Sequence, residues 1–387
     1  SKYLSSSGVN IWNVDAIRKA DGTGEYQYLS RTDLVKTADR KKFTGRQKRN
    51  SGFTTDGRQG GASAYNRRYG AATFSYDQRL AFVTSFTGKD KLFARMRAGN
   101  FDNAFKGNGV NLTTLDIATN KSAIVLDRLY YKFPVGNGFT LVAGALARNT
   151  ENLGVWPSKY NKGGAKILNW TALAGTAGVY NKATGALVGA IWKQKVDKGD
   201  NRFTFSVNYV AENGNNGDTE AGGFMTDNSA GNVLAQLGYS GRQWGIAVGY
   251  RYGQCGTQPD GGTEFAAANT YNNLCSQDRF KVYEINGEKY RLPAIDVKES
   301  EAQGETVFVE DKRTGSSTNS YALNAYWQPQ ESGWIPSVSA GWAYNTTSSD
   351  NKTPGSVTGT QSWMVGLKWD DVLLKGNAMG FAFGPPT

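Results

Sequence analysis

The 387-residue sequence predicts an all-β chain whose antiparallel strands span a membrane as a barrel. Three observations predict it: side chains alternate with a period of two, the links between strands alternate short and long, and aromatic residues gather at both strand ends. Composition narrows the field first. His is absent and only two Cys are present, which removes His-based triads, His-ligated zinc or haem, and Cys₄ metal sites. No stretch approaches the roughly 18 apolar residues of a membrane-spanning helix. The longest candidate, Leu141–Ala147, is far too short, and Ser1–Ser7 lacks the charged-then-apolar layout of a signal peptide.

Taken in order, strands are expected near 71–86, 91–101, 122–134, 139–148, 186–195, 202–212, 231–240, 244–253, 319–328, 334–344, 361–369 and 376–384, with a weaker candidate at Val9–Val14. Phe203, Phe205, Val207 and Tyr209 interleave with Thr204, Ser206 and Asn208; Trp244, Ile246, Val248 and Tyr250 interleave with Gly245, Ala247 and Gly249. Short links such as Val135–Gly138 and Gly241–Gln243 are each followed by a much longer one, which an ordinary sandwich has no reason to do. Phe133, Phe139, Trp244, Trp327, Trp334 and Trp369 lie beside short links, and Tyr209, Tyr250, Tyr252, Tyr321 and Tyr344 lie near the opposite strand ends. Two such rows bracket a hydrocarbon slab, because amphipathic rings prefer the headgroup layer. The competing reading is a soluble sandwich that packs the same aromatics in a dry core.

The faces of the strands follow from the same alternation. Leu92, Ala94 and Met96 take one face of the second strand, and Arg95 and Arg97 take the other. Leu129, Tyr131 and Phe133 face lipid on the third, which sends Arg128, Tyr130 and Lys132 inward. That register also puts Asp127 on the lipid side, a conflict that a bulge or an external position resolves. Gly and Ser on the inner face leave room for water, so the barrel reads as a hollow pore.

With the strands placed, longer strings become recognisable. Thr84–Leu92 followed by Arg95–Phe101 resembles the second hairpin region of cyanobacterial outer-membrane porins, as do Leu126–Gly136 and Trp369–Asn377. Trp170–Leu173 and Thr226–Gly231 are most similar to porins of marine unicellular cyanobacteria. The matches run in order from about residue 71 to the end. That family, sometimes labelled iron-uptake porins, resembles carbohydrate-selective porins, and the resemblance implies a homotrimer of roughly sixteen-stranded barrels in the outer membrane. It further implies an N-terminal domain that grips the peptidoglycan-linked wall and about three more strands after the last residue. Neither is present here, so the chain is expected to be a stretch of a longer precursor. It divides into 1–70, holding the first strand and a basic first external loop, and 71–387, the barrel domain.

In general porins the third external loop folds inward and sets the constriction. Here that loop is 149–185, carrying Lys159, Lys162 and Lys166 with Trp156, Tyr160 and Trp170. The expectation places it opposite Arg95, Arg97, Arg128, Lys132 and Arg148, and such rings of cations bias a pore toward anions. The alternative reading is structural, with the arginines pairing to loop carboxylates such as Glu151. Cys255 and Cys275 are expected to form a disulfide at the base of the longest loop, 254–318, given an oxidising envelope. Within it, Asn286-Gly287 signals a hairpin.

Charge is unevenly spread. Residues 1–70 hold 14 Lys+Arg against 6 Asp+Glu, leaving 30 against 27 for the remainder. The basic run Asp39–Arg49 has no nucleic-acid-binding fold around it, and contact with lipopolysaccharide phosphates, a neighbouring protomer or solvent is expected instead. The acidic stretch 284–311 is either a solvated surface or a concentrator of cations, with no spacing that defines a metal loop. The function expected is a passive diffusion channel for inorganic ions, iron among them, and small hydrophilic solutes, without catalysis, cofactor or metal. The alternative is a structural anchor between outer membrane and cell wall, with the barrel mostly plugged.

Overall fold

The computed structural model describes residues 74–100, 122–159, 169–219, 221–254, 277–285, 288–293, 307–313, 315–331, 333–349 and 357–384. Two compact units divide the chain, and the larger, comprising Arg79–Arg97, Ile124–Lys166 and Trp170–Thr387, carries all of the strands below except Asp77–Gln78 and Ala98–Gly99.

Fifteen strands are found among the described residues. They are β1 (Asp77–Thr84), β2 (Lys91–Gly99), β3 (Val125–Val135), β4 (Phe139–Arg148), β5 (Thr184–Lys193), β6 (Arg202–Ala211), β7 (Gly231–Ser240) and β8 (Trp244–Gly253), followed by β9 (Gln277–Ile285), β10 (Glu288–Pro293), β11 (Val307–Arg313), β12 (Ser316–Trp327), β13 (Ser337–Ser349), β14 (Gly359–Asp370) and β15 (Ala378–Phe383). Twelve form one antiparallel sheet in chain order, β1 to β8 and then β12 to β15. These are the twelve expected strands, with ends shifted by a few residues. Among the described residues β1 and β15 do not pair, so the sheet is open and sixteen strands are not seen. The proposed strand at Val9–Val14 lies outside the described residues.

Strands β9, β10 and β11 form a small separate sheet that the alternation did not announce as a unit. Its β9–β10 pairing sets Glu288 opposite Ile285, which leaves Asn286-Gly287 as the intervening pair. The short links leave β1, β3, β5, β7, β12 and β14 at one edge of the large sheet. One expectation fails at the far end. β13 runs on to Ser349 and β14 begins at Gly359, so the link 350–358 is no longer than the nominally short 328–336. Thr and Ser at 346–349 continue the ladder because β-branched and small polar residues suit a strand whether or not its outer face is greasy.

Where the chain reverses tightly it uses glycine. Gly136 and Gly138 have φ of 56° and 82° between β3 and β4, a backbone that side chains resist. A bulge then settles the Asp127 conflict. Arg95 pairs with Arg128 but the next residue, Met96, pairs with Leu126, so Asp127 is the extra residue on β3. A second bulge shifts β4 against both its neighbours around Gly144–Leu146.

Candidate functional site

The large sheet is inverted relative to a soluble protein. On β6, Thr204 and Ser206 are 2% and 1% exposed, whereas Phe203 and Phe205 are 45% and 44% exposed. The inversion continues from strand to strand because the register is unbroken. Phe205, Leu237, Val248, Leu323, Trp342 and Trp363 stand side by side across β6, β7, β8, β12, β13 and β14, all exposed. One pleat away, Ser206, Gln236, Gly249, Ala322, Ala343 and Ser362 form the neighbouring row, all buried. A contiguous apolar face of this extent is not left to water; it needs lipid or a partner against it. The aromatic rows are therefore not packed in a dry core, which removes the sandwich reading.

The aromatic residues proposed as a girdle collect at the short-link edge. Trp244 is paired with Trp327, and Phe139 with Trp192. Phe133 stacks on Tyr131 with ring centroids 5.3 Å apart. Trp334 is 96% exposed, and its carbonyl accepts the indole N–H of Trp369 at 3.0 Å.

The buried polar face is not open along its length. Residues 149–159 and 171–183, parts of the link between β4 and β5, lie on it. The inward side chains grip this segment by its backbone. Gln236 on β7 accepts the Val155 N–H at 2.9 Å and donates to the Val155 carbonyl at 2.8 Å. Ser339 on β13 accepts the Lys159 N–H, and Ser362 on β14 donates to the Gly175 carbonyl at 2.6 Å. Arg251 on β8, fully buried, donates through Nε to the Gly178 carbonyl at 2.6 Å and through its other nitrogens to Asn232, Thr318 and Ser320.

Glycines on the inner face make the room. A Cβ on Gly341 would stand 2.2 Å from the Ala174 carbonyl, one on Gly238 2.5 Å from Val155, and one on Gly189 2.6 Å from Asn152. The expectation that inward glycines leave space for water is corrected here: they are filled by chain. The inner face is not uniformly polar either. Leu173, Ala177, Val179 and Tyr180 pack on Leu234, Ala322 and Ala343 in a small buried apolar cluster. A segment that must hold one position gains by burying hydrocarbon against the wall as well as hydrogen bonding to it.

Of the cations expected in the pore, Arg95 and Arg128 form a network with acids. Asp127, turned by the bulge, accepts both Nε and Nη2 of Arg95, at 2.8 and 2.7 Å. Arg97 adds to the positive field around Asp127. Arg128, 2% exposed, donates through Nε to Glu151 at 2.7 Å and through Nη1 to the Asp127 carbonyl. Glu151 sits in a 3₁₀ turn, Asn149–Asn152, whose carbonyl at Glu151 accepts from Lys132. Lys132 also stands 5.3 Å over the Tyr130 ring. Arg148 ends β4 beside this group, and its Nε, like Arg128 Nη2, is buried without a hydrogen-bond partner. Lys159 sits 4.1 Å over the Tyr326 ring. Glu151 was named only as the partner in the structural alternative, and Gln236 and Arg251 were missed. Their inward parity was legible; what they hold was not.

Lys162, Lys166, Cys255 and Cys275 lie outside the described residues, and the acidic stretch 284–311 has no described side chains. Among the described residues no group of three His, Cys, Asp or Glu is placed to hold a metal.

No family model matches the chain. It is similar to two uncharacterized cyanobacterial proteins. One, from Nostoc sp., is 26% identical over 234 residues, covering 52% of this chain and 39% of that protein. The other, from Synechocystis sp., is 26% identical over 339 residues, covering 81% and 52%. The chain thus spans about half the length, or less, of these relatives. Among solved structures, OmpT, an outer membrane protein of Vibrio cholerae, is matched over 81% of this chain and 86% of its own at 10% identity and a TM-score of 0.30. A superposition that loose carries no weight for fold or function.

Proposed function

We propose that this chain forms a membrane-spanning β-sheet of an outer-membrane diffusion channel for inorganic ions and small hydrophilic solutes. The observation that carries the reading is the inversion itself: apolar residues outward and small or polar residues buried, in register across β6–β8 and β12–β14. Such a sheet pairs its backbone between neighbouring strands, turns its greasy face to hydrocarbon and keeps its other face for water or protein. Iron among the permeants, a homotrimer, and contact with lipopolysaccharide are proposed from the family resemblance. Arg95, Arg97 and Lys159 are proposed to border the path, with Arg128 and Lys132 behind the segment at 149–152. No catalytic step is proposed.

A second reading draws on a specific observation. Residues 171–180 are buried on the polar face, as a plugged barrel serving as a structural anchor would need. The two readings separate in a planar bilayer. The complete protein is expected to give stepwise conductance, and the Arg97→Glu variant, which leaves the Arg95–Asp127 pair intact, is expected to move the reversal potential toward cations. Silent bilayers at high protein load favour the anchor.

A further inference from the structure

The segment 149–183 contains four lysines, Lys159, Lys162, Lys166 and Lys182, but a single acid, Glu151. That acid is the point where the segment meets β3. Its carboxylate takes Arg128 Nε at 2.7 Å, and its backbone carbonyl takes Lys132 Nζ. Arg128 is held in turn by the Asp127 carbonyl, and Asp127 by the two-pronged contact from Arg95. The chain Arg95–Asp127–Arg128–Glu151 therefore runs from β2, through the bulge of β3, into the turn Asn149–Asn152.

Residues 171–180 and the turn at 149–152 are fixed by different physics, with Leu153 and Trp156 beyond the turn joining the apolar contacts of the former. Residues 171–180 rest in the glycine groove, with Leu173, Val179 and Tyr180 in the apolar cluster and Arg251 on the Gly178 carbonyl. The turn at 149–152 has no such cluster. Its residues contact the wall through polar groups: Asn152 to the Ala190 and Val207 carbonyls, Asn208 to the Asn149 carbonyl, and Glu151 to Arg128. Only the last is an ion pair, and its guanidinium is almost fully buried. Removing one member of a buried pair strands the other in a low-dielectric site, a larger loss than a neutral hydrogen bond.

We infer that Glu151 is the positioning residue that latches the leading end of the segment to β3 through Arg128 and Lys132, so that the width of the passage beside β2 and β3 depends on this one carboxylate. Arg128 is thereby a fastening, its charge cancelled, rather than a cation offered to a permeant. The inference rests on the channel reading for its consequence, though the latch itself does not.

The test uses the complete protein in lipid vesicles and planar bilayers. Thr150→Cys places a thiol beside Glu151 at a buried position, and its labelling by a membrane-impermeant maleimide reports whether the turn has lifted. In that background Glu151→Ala is expected to speed labelling by about 100-fold, the order that loss of a buried ion pair implies. Glu151→Gln, which keeps one hydrogen bond, is expected to fall between. The Arg128→Met, Glu151→Leu pair replaces the ions with apolar groups of similar volume and is expected to restore slow labelling, which guards against variants that simply misfold. Unchanged labelling in Glu151→Ala overturns the latch whatever the bilayers show. Faster labelling with larger unitary conductance supports both latch and consequence. Faster labelling over silent bilayers, before and after substitution, leaves the latch standing and overturns the channel reading and with it the role in pore width.

Discussion

Asp90 shows how a single residue fixes a strand-to-strand reversal at the edge of the large sheet. Its carboxylate accepts the Ser85 and Thr87 hydroxyls at 2.6 and 2.5 Å, the Phe86 and Thr87 N–H groups, and the Tyr131 hydroxyl at 2.7 Å. Burial pushes the carboxyl upward, but the hydrogen bonds from Ser85, Thr87, Phe86 and Tyr131 outweigh it and hold it well below the usual carboxylate range. A group whose folded value is depressed adds stability that is whole above the ordinary value and drains away as pH falls through the folded one. Thermal unfolding in detergent should therefore show a constant gap between the protein and Asp90→Asn from neutral pH down to about pH 4. Below that the gap should close steadily. A gap that instead widened in acid would mean that the carboxylate is not what the β1–β2 link uses.

At the scale of elements, two arrangements of small residues and register do the work. The groove made by Gly189, Gly238, Gly249 and Gly341 is complementary to the segment it holds, so a branched side chain there acts on the segment before it acts on the sheet. Gly341→Val is expected to keep the far-ultraviolet β-sheet spectrum while exposing 149–183 to protease, since overpacking costs on the order of 1–3 kcal/mol and the segment is what can move. The outward rows respond to the opposite change. Val248→Arg, in the middle of the six-strand apolar row, is expected to lower stability in bilayers by about 2–4 kcal/mol, measured by urea unfolding from vesicles. Thr204→Arg does not serve as the control, because Thr204 abuts Gly154. An exposed position on a short link, Lys198→Arg, should leave stability unchanged.

For the molecule as a whole, alternation of side chains fixed most of what can be read from order along the chain. The twelve strands and their inward and outward faces were legible, because a strand's faces are decided by its immediate neighbours and by parity; for Asp127 parity gave only the conflict, and the structure settled it with a bulge instead of an external position. The Asn286-Gly287 signal was local in the same way. Contacts made by residues far apart in sequence were not legible. Val155 meets Gln236 across 81 positions, Lys159 meets Ser339 across 180, and Gly175 meets Ser362 across 187. No periodicity encodes such meetings, so inward glycines read as water space until the structure put chain against them. Arg128 belongs to the same lesson: parity sent it inward and left a pore-lining place and a pairing with Glu151 both open, and only the folded turn at 149–152 decided for Glu151. The sequence by itself determined one greasy face and one face of small and polar residues, since those follow from a two-residue period. Tertiary structure alone decided what covers the second face, since that depends on where a distant segment comes to rest.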